Sequence, residues 1–153
     1  MTASAFGDIR PGEVTVDAAP AQDAALRFIG RIVTPWTDRA DCPRRGDMER
    51  GPLCRLEIDP VWRPALRGVE RLERLQVLYW MHHARRDLAV QAPRGGAGPV
   101  GTFSLRSPMR PNPIASSVVR LVAVEESALV VRGLDCLNGT PLLDVKPDRC
   151  AHD

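Results

Sequence analysis

Lysine is nearly absent from this chain of 153 residues, and long apolar runs are missing altogether. No apolar run approaches the roughly 18 residues that a membrane-spanning helix requires, so we expect no membrane span. The first residues lack a basic stretch followed by an apolar core. The sequence therefore predicts no secretory signal and a cytoplasmic protein.

Metal-binding patterns are also missing from the sequence. It contains no Cys-x-x-Cys pair, and no histidine lies at a zinc-like spacing from a cysteine. We therefore expect no metal, and free thiols in a reducing compartment. The residues concerned are Cys42, Cys54, Cys136, Cys150, His82, His83 and His152.

Positive charge comes almost entirely from arginine, since Lys146 is the only lysine. The formal net charge is only +2, so the chain as a whole does not indicate nucleic-acid binding. The arginines crowd into the first half of the chain. An anion-binding surface and a GC-rich coding sequence explain this bias equally well, and both explanations stay open.

The length and the 44% hydrophobic content suit one soluble globular domain. Residues 1–24 are poor in large apolar side chains and contain Pro11, Gly12 and Pro20, which predicts a flexible N-terminal arm. The folded domain is expected over residues 25–150. No internal repeat is present.

Short β-type segments separated by turns predict an all-β barrel or sandwich. One short helix is expected after Asp59-Pro60, because aspartate suits an N-cap and proline the first helical position. Residues 37–53 and 85–98 are predicted to be loops. The predicted strands are 26–33, 54–58, 75–82, 100–105, 114–124, 128–134 and 142–146.

The most distinctive segment is the loop 106–113, which contains three prolines and two arginines. Proline fixes its own φ and restricts the residue before it, so Ser107, Arg110 and Asn112 should be extended. A stiff loop loses little entropy on binding, and this one would present Arg106, Arg110 and Asn112 to an anion or a base. The alternative is an ordinary proline-rich connection with solvated arginines.

Two weaker candidates accompany this loop. Arg44 and Arg45 lie between a proline and a glycine, where they could grip an anion or could be solvated loop residues. His82 and His83 follow the most hydrophobic strand, and a histidine pair there suits either a site or an ordinary surface. The residues alone do not choose between these alternatives.

Four stretches resemble the TrmO (TsaA-like, YaeB-like) family of tRNA methyltransferases. They are Ile-Gly-Arg-Ile at 29–32, Cys-Pro-Arg at 42–44, Gly-Thr-Phe-Ser-Leu-Arg-Ser-Pro-Met-Arg-Pro-Asn-Pro-Ile at 101–114, and the run at 134–147 that ends in Gly-Thr-Pro-Leu-Leu-Asp-Val-Lys-Pro. The last two stretches are long and unusual, so they carry the resemblance.

The resemblance implies a single small antiparallel β-barrel with one or two short helices that binds S-adenosylmethionine. The Gly-x-Gly at 96–98 leads into a predicted strand rather than a helix, so nothing here resembles the nucleotide turn of Rossmann-like methyltransferases, which agrees with this. The resemblance also implies a homodimer with the cofactor near the subunit interface. The implied reaction is N6-methylation of threonylcarbamoyl-adenosine in the anticodon loop of threonine tRNA.

Site residues follow from the same motifs. The implied cofactor contacts are Pro43, Arg44, Arg45, His82, His83, Arg106, Ser116, Asp135, Cys136, Leu137 and Asn138. Arg110 and Asn112 are candidates for substrate binding. The residue that takes the proton from the acceptor nitrogen stays open among His82, Asp135 and Asp144.

The sequence departs from the family pattern at several positions. Ala115 and Ser116 replace a glycine and a larger apolar residue, Asn138 replaces an aspartate, and Asp148 replaces a tyrosine. The additional C-terminal domain of longer members is not expected. Two alternatives therefore stay open: a non-catalytic regulatory module that binds S-adenosylmethionine, and a methyltransferase for another acceptor.

Overall fold

The computed structural model describes residues 8–149, and their contacts divide them into two compact units. The barrel unit consists of residues 26–80 and 115–149, and the sheet unit of residues 8–25 and 81–114. Cys150 and His152 lie outside the described residues, as do residues 1–7 of the predicted arm.

Nine strands are present within residues 8–149. They are β1 Val14–Thr15, β2 Gly30–Val33, β3 Leu53–Ile58, β4 Arg74–Trp80, β5 Leu88–Gln91, β6 Val100–Gly101, β7 Ile114–Val124, β8 Ala128–Arg132 and β9 Thr140–Pro147. The helical segments of this part of the chain are short 3-10 helices at Arg39–Asp41, Pro60–Leu66, Val69–Arg71 and Thr102–Ser104.

Six strands close into an antiparallel barrel in the order β2-β3-β8-β7-β4-β9. The predicted all-β barrel is therefore confirmed. Alternation explains it: Leu75, Val77 and Tyr79 of β4 are buried, while the residues between them are only half-buried. The same period of two buries Cys54, Leu56 and Ile58 on β3.

The sheet unit contains a three-stranded sheet in which β5 pairs with both β1 and β6. The loop predicted at 85–98 is therefore wrong over Leu88–Gln91. The strand predicted at 100–105 is also wrong beyond Gly101. There the chain turns into a 3-10 helix, because the buried Thr102 hydroxyl donates to the Leu88 carbonyl and the Leu105 amide donates to the Thr102 carbonyl.

Other predicted elements are present with shifted ends. The first barrel strand begins at Gly30 rather than at residue 26, and β4 ends at Trp80 rather than at 82. Strand β8 ends at Arg132 because Gly133 has a φ of 121°, which breaks the extended run. The helix after Asp59 is a 3-10 helix whose N-cap side chain makes no capping hydrogen bond.

The predicted arm, residues 1–24, contains β1, which pairs with β5 at Val14 and Thr15. Its flexibility and the domain boundary at residue 24 stay predictions. No helix among residues 8–149 is both long and apolar enough to cross a membrane.

Candidate functional site

A half-buried carboxylate, Asp135, follows β8 in the barrel unit. Tyr79 donates a hydrogen bond from its hydroxyl to Asp135 Oδ1 at 3.1 Å. The same hydroxyl lies 2.8 Å from Ser117 Oγ. Since a phenol has one proton, Ser117 donates to Tyr79 when Tyr79 donates to Asp135. These hydrogen bonds join Asp135, Tyr79 and Ser117 and so link β4, β7 and the segment after β8.

Burial sets the protonation behaviour of this cluster. It raises the pKa of Asp135, while the Tyr79 hydrogen bond and the residue's own backbone N–H lower it in part. Burial and the Asp135 charge both raise the pKa of Tyr79, which is only 3% exposed. Tyr79 therefore stays a hydrogen-bond donor at neutral pH, and Asp135 is a stronger base than an ordinary aspartate.

The turn that follows Asp135 is fixed on the segment after β2. The backbone N–H of Asn138 donates to the Trp36 carbonyl at 2.7 Å, and the side-chain Oδ1 of Asn138 accepts from the backbone N–H of Thr34 at 3.1 Å. The Thr34 hydroxyl donates to the Cys136 carbonyl at 2.8 Å. Asparagine at 138 therefore keeps the acceptor that an aspartate would provide and removes only its charge.

The loop that carries Arg44 and Arg45 lies against Gly133, two residues before Asp135. A Cβ built on Gly46 would overlap the carbonyl oxygen of Gly133, so only glycine permits this approach. Cys42, at the start of the loop, has a pKa raised first by burial and next by the Asp135 charge. The structure therefore places the loop that carries the predicted residues Pro43, Arg44 and Arg45 beside the segment that leads into the predicted residues Asp135, Cys136, Leu137 and Asn138.

Two other predicted residues of the barrel unit have separate partners. Ser116 accepts a hydrogen bond from Gln76 Nε2 at 3.1 Å. Asp144 lies 3.5 Å from Lys146 Nζ, and its side chain is half-exposed. Asp148, which stands where the family has tyrosine, forms an ion pair with Arg74 and is only 4% exposed in its side chain.

The remaining predicted residues belong to the sheet unit. His82 and His83 are exposed, with ring centroids 3.8 Å apart. Arg106 is exposed as well. Arg110 instead donates from Nη1 to the carbonyls of Leu105 and Ser107, at 2.9 and 3.1 Å.

Arg110 therefore closes the proline loop on itself. Asn112 accepts from Arg86 Nη2 at 3.4 Å, and Arg86 Nε also donates to the Pro111 carbonyl. The loop is anchored to β5 by Gln91, which donates to the Thr102 hydroxyl and the Met109 carbonyl. These bonds supplement the stiffness that the prolines provide.

Sequence reasoning missed Tyr79 and Ser117. The alternation in β4 already placed Tyr79 on the same face as Val77, and a phenol on a buried face requires a polar partner. Ser117 is one of the small residues, Ala115 to Ser117, at the start of β7. The sequence signal for this contact is one hydroxyl on the inward face of β4 and one on the inward face of β7. Only the strand order shows that these two hydroxyls meet.

No group of three or more His, Cys, Asp and Glu side chains within the described part of the chain could hold a metal ion. The groups that this site offers for chemistry are Asp135, its hydroxyl partners, the adjoining turn and the arginine loop.

Comparison with known proteins gives a family match over most of the chain. Residues 31–153 match the tRNA-methyltransferase O N-terminal domain. The probable S-adenosyl-L-methionine-binding protein VirR of Rhizobium radiobacter is 52% identical over 141 residues, which cover 92% of this chain and 80% of the relative. A probable S-adenosyl-L-methionine-binding protein of Methanothermobacter thermautotrophicus is 38% identical over 80% of this chain and 88% of its own length.

A solved structure is similar as well. The crystal structure of TrmO from Pseudomonas aeruginosa matches with a TM-score of 0.69 and 30% sequence identity. The match covers 88% of this chain and 61% of the solved chain. This chain therefore spans less than two thirds of the length of that protein.

Proposed function

Since the chain belongs to the tRNA-methyltransferase O family, we propose that it methylates N6 of threonylcarbamoyl-adenosine in the anticodon loop of threonine tRNA. The chain is of the S-adenosylmethionine-binding methyltransferase type, and S-adenosylmethionine is its cofactor. The tRNA acceptor is the finer part of this proposal and rests on the family match.

The observation that carries the proposal is the position of Asp135. Its carboxylate is half-buried, held by Tyr79, and followed by a turn whose backbone is fixed on the Thr34–Trp36 segment. A ribose hydroxyl needs such an acceptor, and an adenine edge needs backbone or amide groups. The residues present therefore fit the nucleoside half of S-adenosylmethionine.

The arginine loop fits the other end of the cofactor. Arg44 and Arg45 are exposed and belong to the loop whose Gly46 packs on Gly133, two residues before Asp135. A guanidinium there can pair with the methionyl carboxylate. When bound, the cofactor supplies a methyl group that its sulfonium already activates. The main task of the protein is then to orient the acceptor nitrogen.

Proton removal is the second task. An exocyclic adenine nitrogen is a weak nucleophile, and its proton has to leave during methylation. Burial raises the pKa of Asp135, but this carboxylate is here assigned to the ribose, and Asp144 is half-exposed and pairs with Lys146, so the proton acceptor stays open between them. His82, in the sheet unit, stays a predicted alternative.

A second candidate function is cofactor binding without methyl transfer. Two relatives carry names that mention only S-adenosyl-L-methionine binding. The neutral Asn138 also replaces a charged residue of the family pattern. Turnover, rather than binding, separates the two functions.

Calorimetry with S-adenosylmethionine, in the presence of a chelator, tests the cofactor. We expect binding without metal, and no heat at high cofactor concentration would refute it. Mass spectrometry of tRNA nucleosides from a deletion strain tests the acceptor. Loss of methylated threonylcarbamoyl-adenosine is expected, and an unchanged nucleoside profile would favour the binding module or another acceptor.

We further propose a cytoplasmic homodimer. A cytoplasmic location follows from the tRNA substrate. A small barrel offers a shallow site, and a second subunit would shield it from water. Light scattering with cofactor present should give twice the mass of one chain, and a monomer at working concentration would contradict the proposal.

A further inference from the structure

The sheet unit contains a cavity of about 210 Å³ whose walls carry several charges. The charged lining residues are Arg10, Glu13, Arg94 and Arg106. Three arginines and one glutamate thus line the cavity. We refer to this cavity as the arm pocket, because two of the four residues belong to the N-terminal segment.

Hydrogen bonds hold the N-terminal wall of the arm pocket in place. Arg10 Nη1 donates to the Ala92 carbonyl at 2.7 Å. The two oxygens of Glu13 accept from the backbone amides of Arg10 and Ala92, at 3.0 and 3.1 Å. These backbone bonds are the largest cause of a lowered pKa for Glu13. Both oxygens of the Glu13 carboxylate are therefore already hydrogen-bonded to backbone N–H groups of the pocket wall.

The other two guanidinium groups have exposed side chains. Arg94 lies in the loop after β5, and Arg106 begins the proline loop. Because Arg106 is also a predicted cofactor contact, the charge available to a further ligand comes from Arg94 and Arg10; with Glu13 bonded to the backbone, this charge is positive. Arginine clusters of this kind suit phosphate, which accepts two parallel N–H bonds from one guanidinium.

A large exposed aromatic lies in the same unit. Phe103 is 82% exposed and belongs to the 3-10 helix that follows β6, three residues before Arg106. Three residues of chain span at most about 10 Å. A cationic groove beside an exposed aromatic is the combination that binds single-stranded nucleic acid, since phosphates pair with the cations and bases stack on the ring.

We propose that the arm pocket receives a phosphate of a single-stranded RNA segment and that Phe103 stacks on a base of the same segment. This inference rests on the proposed function and adds a grip for the RNA. Arg10 and Glu13 precede residue 31, where the family match begins. The grip is therefore built in part by a segment outside that match.

Arg94→Ala and Phe103→Ala test the proposal, because neither side chain makes a bond that the fold requires. The probe is an unmodified RNA stem-loop of the anticodon arm, followed by fluorescence anisotropy at several salt concentrations. We expect Arg94→Ala to weaken RNA binding about tenfold at low salt and to reduce the salt slope by about one. Phe103→Ala should weaken binding without changing the slope.

Arg71→Ala is the matched control, since it removes the same charge from an exposed position of the barrel unit. It should leave RNA affinity within about twofold of wild type. S-Adenosylmethionine affinity should be unchanged in the Arg94 and Phe103 variants. Arg106→Ala is left out because the family resemblance assigns Arg106 to the cofactor.

Four other results of these measurements would each contradict one part of the proposal. If wild type methylates tRNA but both variants bind RNA normally, the arm pocket is not the grip, and the proposed function stands. If wild type neither binds nor methylates tRNA, the proposed function itself fails. If Arg94→Ala loses cofactor, the pocket belongs to the cofactor site. If Phe103→Ala converts a dimer to a monomer, Phe103 is a subunit contact.

Discussion

Apolar burial dominates the barrel unit, whereas directional hydrogen bonds dominate the sheet unit. Among the largest fully buried side chains of the described residues, only Leu88 and Pro113 belong to the sheet unit. Within residues 8–149, each unit buries two polar side chains, Thr34 and Thr140 in the barrel unit and Gln91 and Thr102 in the sheet unit. In the sheet unit these two stand beside few buried apolar side chains, and they bond to each other and to nearby carbonyls. Hydrogen bonds fix the positions of individual polar groups in such a region. The loss of one bond leaves a buried donor or acceptor without a partner, which costs free energy.

The largest effect should come from the core of the barrel. Leu56→Ala, at a fully buried position of β3, should lower the free energy of unfolding by about 2–5 kcal/mol. Leu53→Ala on the same strand is the control, because Leu53 is 52% exposed. Urea unfolding of both variants measures the difference. Equal losses would mean that burial in the barrel does not set its stability.

The second effect separates two arginines of the sheet unit. Arg106→Ala should weaken cofactor binding by about 1.5–3 kcal/mol, the range for a hydrogen bond to a charged group. Arg110→Ala should leave cofactor affinity closer to wild type and should reduce turnover on tRNA, because Arg110 bonds to its own loop. Calorimetry and single-turnover methylation decide. An equal loss of cofactor in both would show that the loop acts as one unit.

The third effect concerns the close contact between Gly46 of the arginine loop and Gly133 in the barrel unit. Gly46→Ala forces a Cβ against the Gly133 carbonyl, so the arginine loop has to move away from the segment that leads into Asp135. We expect a loss of about 1–3 kcal/mol in stability, typical of overpacking, together with weaker cofactor binding.

Gly101→Ala in the sheet unit is the control for this change. Its Cβ would meet no atom within 4 Å, and its φ of −61° suits alanine. If Gly46→Ala binds the cofactor normally, the arginine loop is not part of the cofactor site.

The smallest effect is a pH dependence at Asp135. Burial places its folded pKa above the ordinary value of 3.8, so the folded protein holds this proton more tightly than the unfolded chain does. The stability that the protonated group contributes is present below pH 3.8 and is lost as the pH rises through the folded pKa.

Asp135→Asn stays neutral at every pH and can still accept from Tyr79. It should therefore resist urea slightly better than wild type at pH 7, and the difference should vanish in acid, while cofactor affinity falls. A variant less stable than wild type at pH 7 would show that hydrogen bonds to the ionised carboxylate outweigh its burial.

The sequence predicted the barrel unit better than the sheet unit, for a physical reason. Alternating side chains specify one buried face, and Val77 and Val119 are buried as that rule requires. In the sheet unit, Leu88–Gln91 falls within the predicted loop 85–98, which ends in Pro-Arg-Gly-Gly-Ala-Gly-Pro. Its partner strands have only two residues each, so they leave little periodicity to detect.

The candidate site was predicted in part. Motif resemblance named Asp135 and Arg44, and the structure adds what fixes them: the Tyr79 hydroxyl for one and the Gly46 contact for the other. These supports depend on strand order and on loop packing across long sequence separations. Local sequence contains the side chains but not their partners.

The internal bonds of Arg110 have a consequence for how the proline loop could be reused. Because the guanidinium closes the loop on the Leu105 and Ser107 carbonyls, much of its shape is encoded within the loop itself. Such a segment is portable: a cyclic peptide that spans it could keep the native bend outside the protein. Binding could then be selected on the peptide alone and transferred back to the chain.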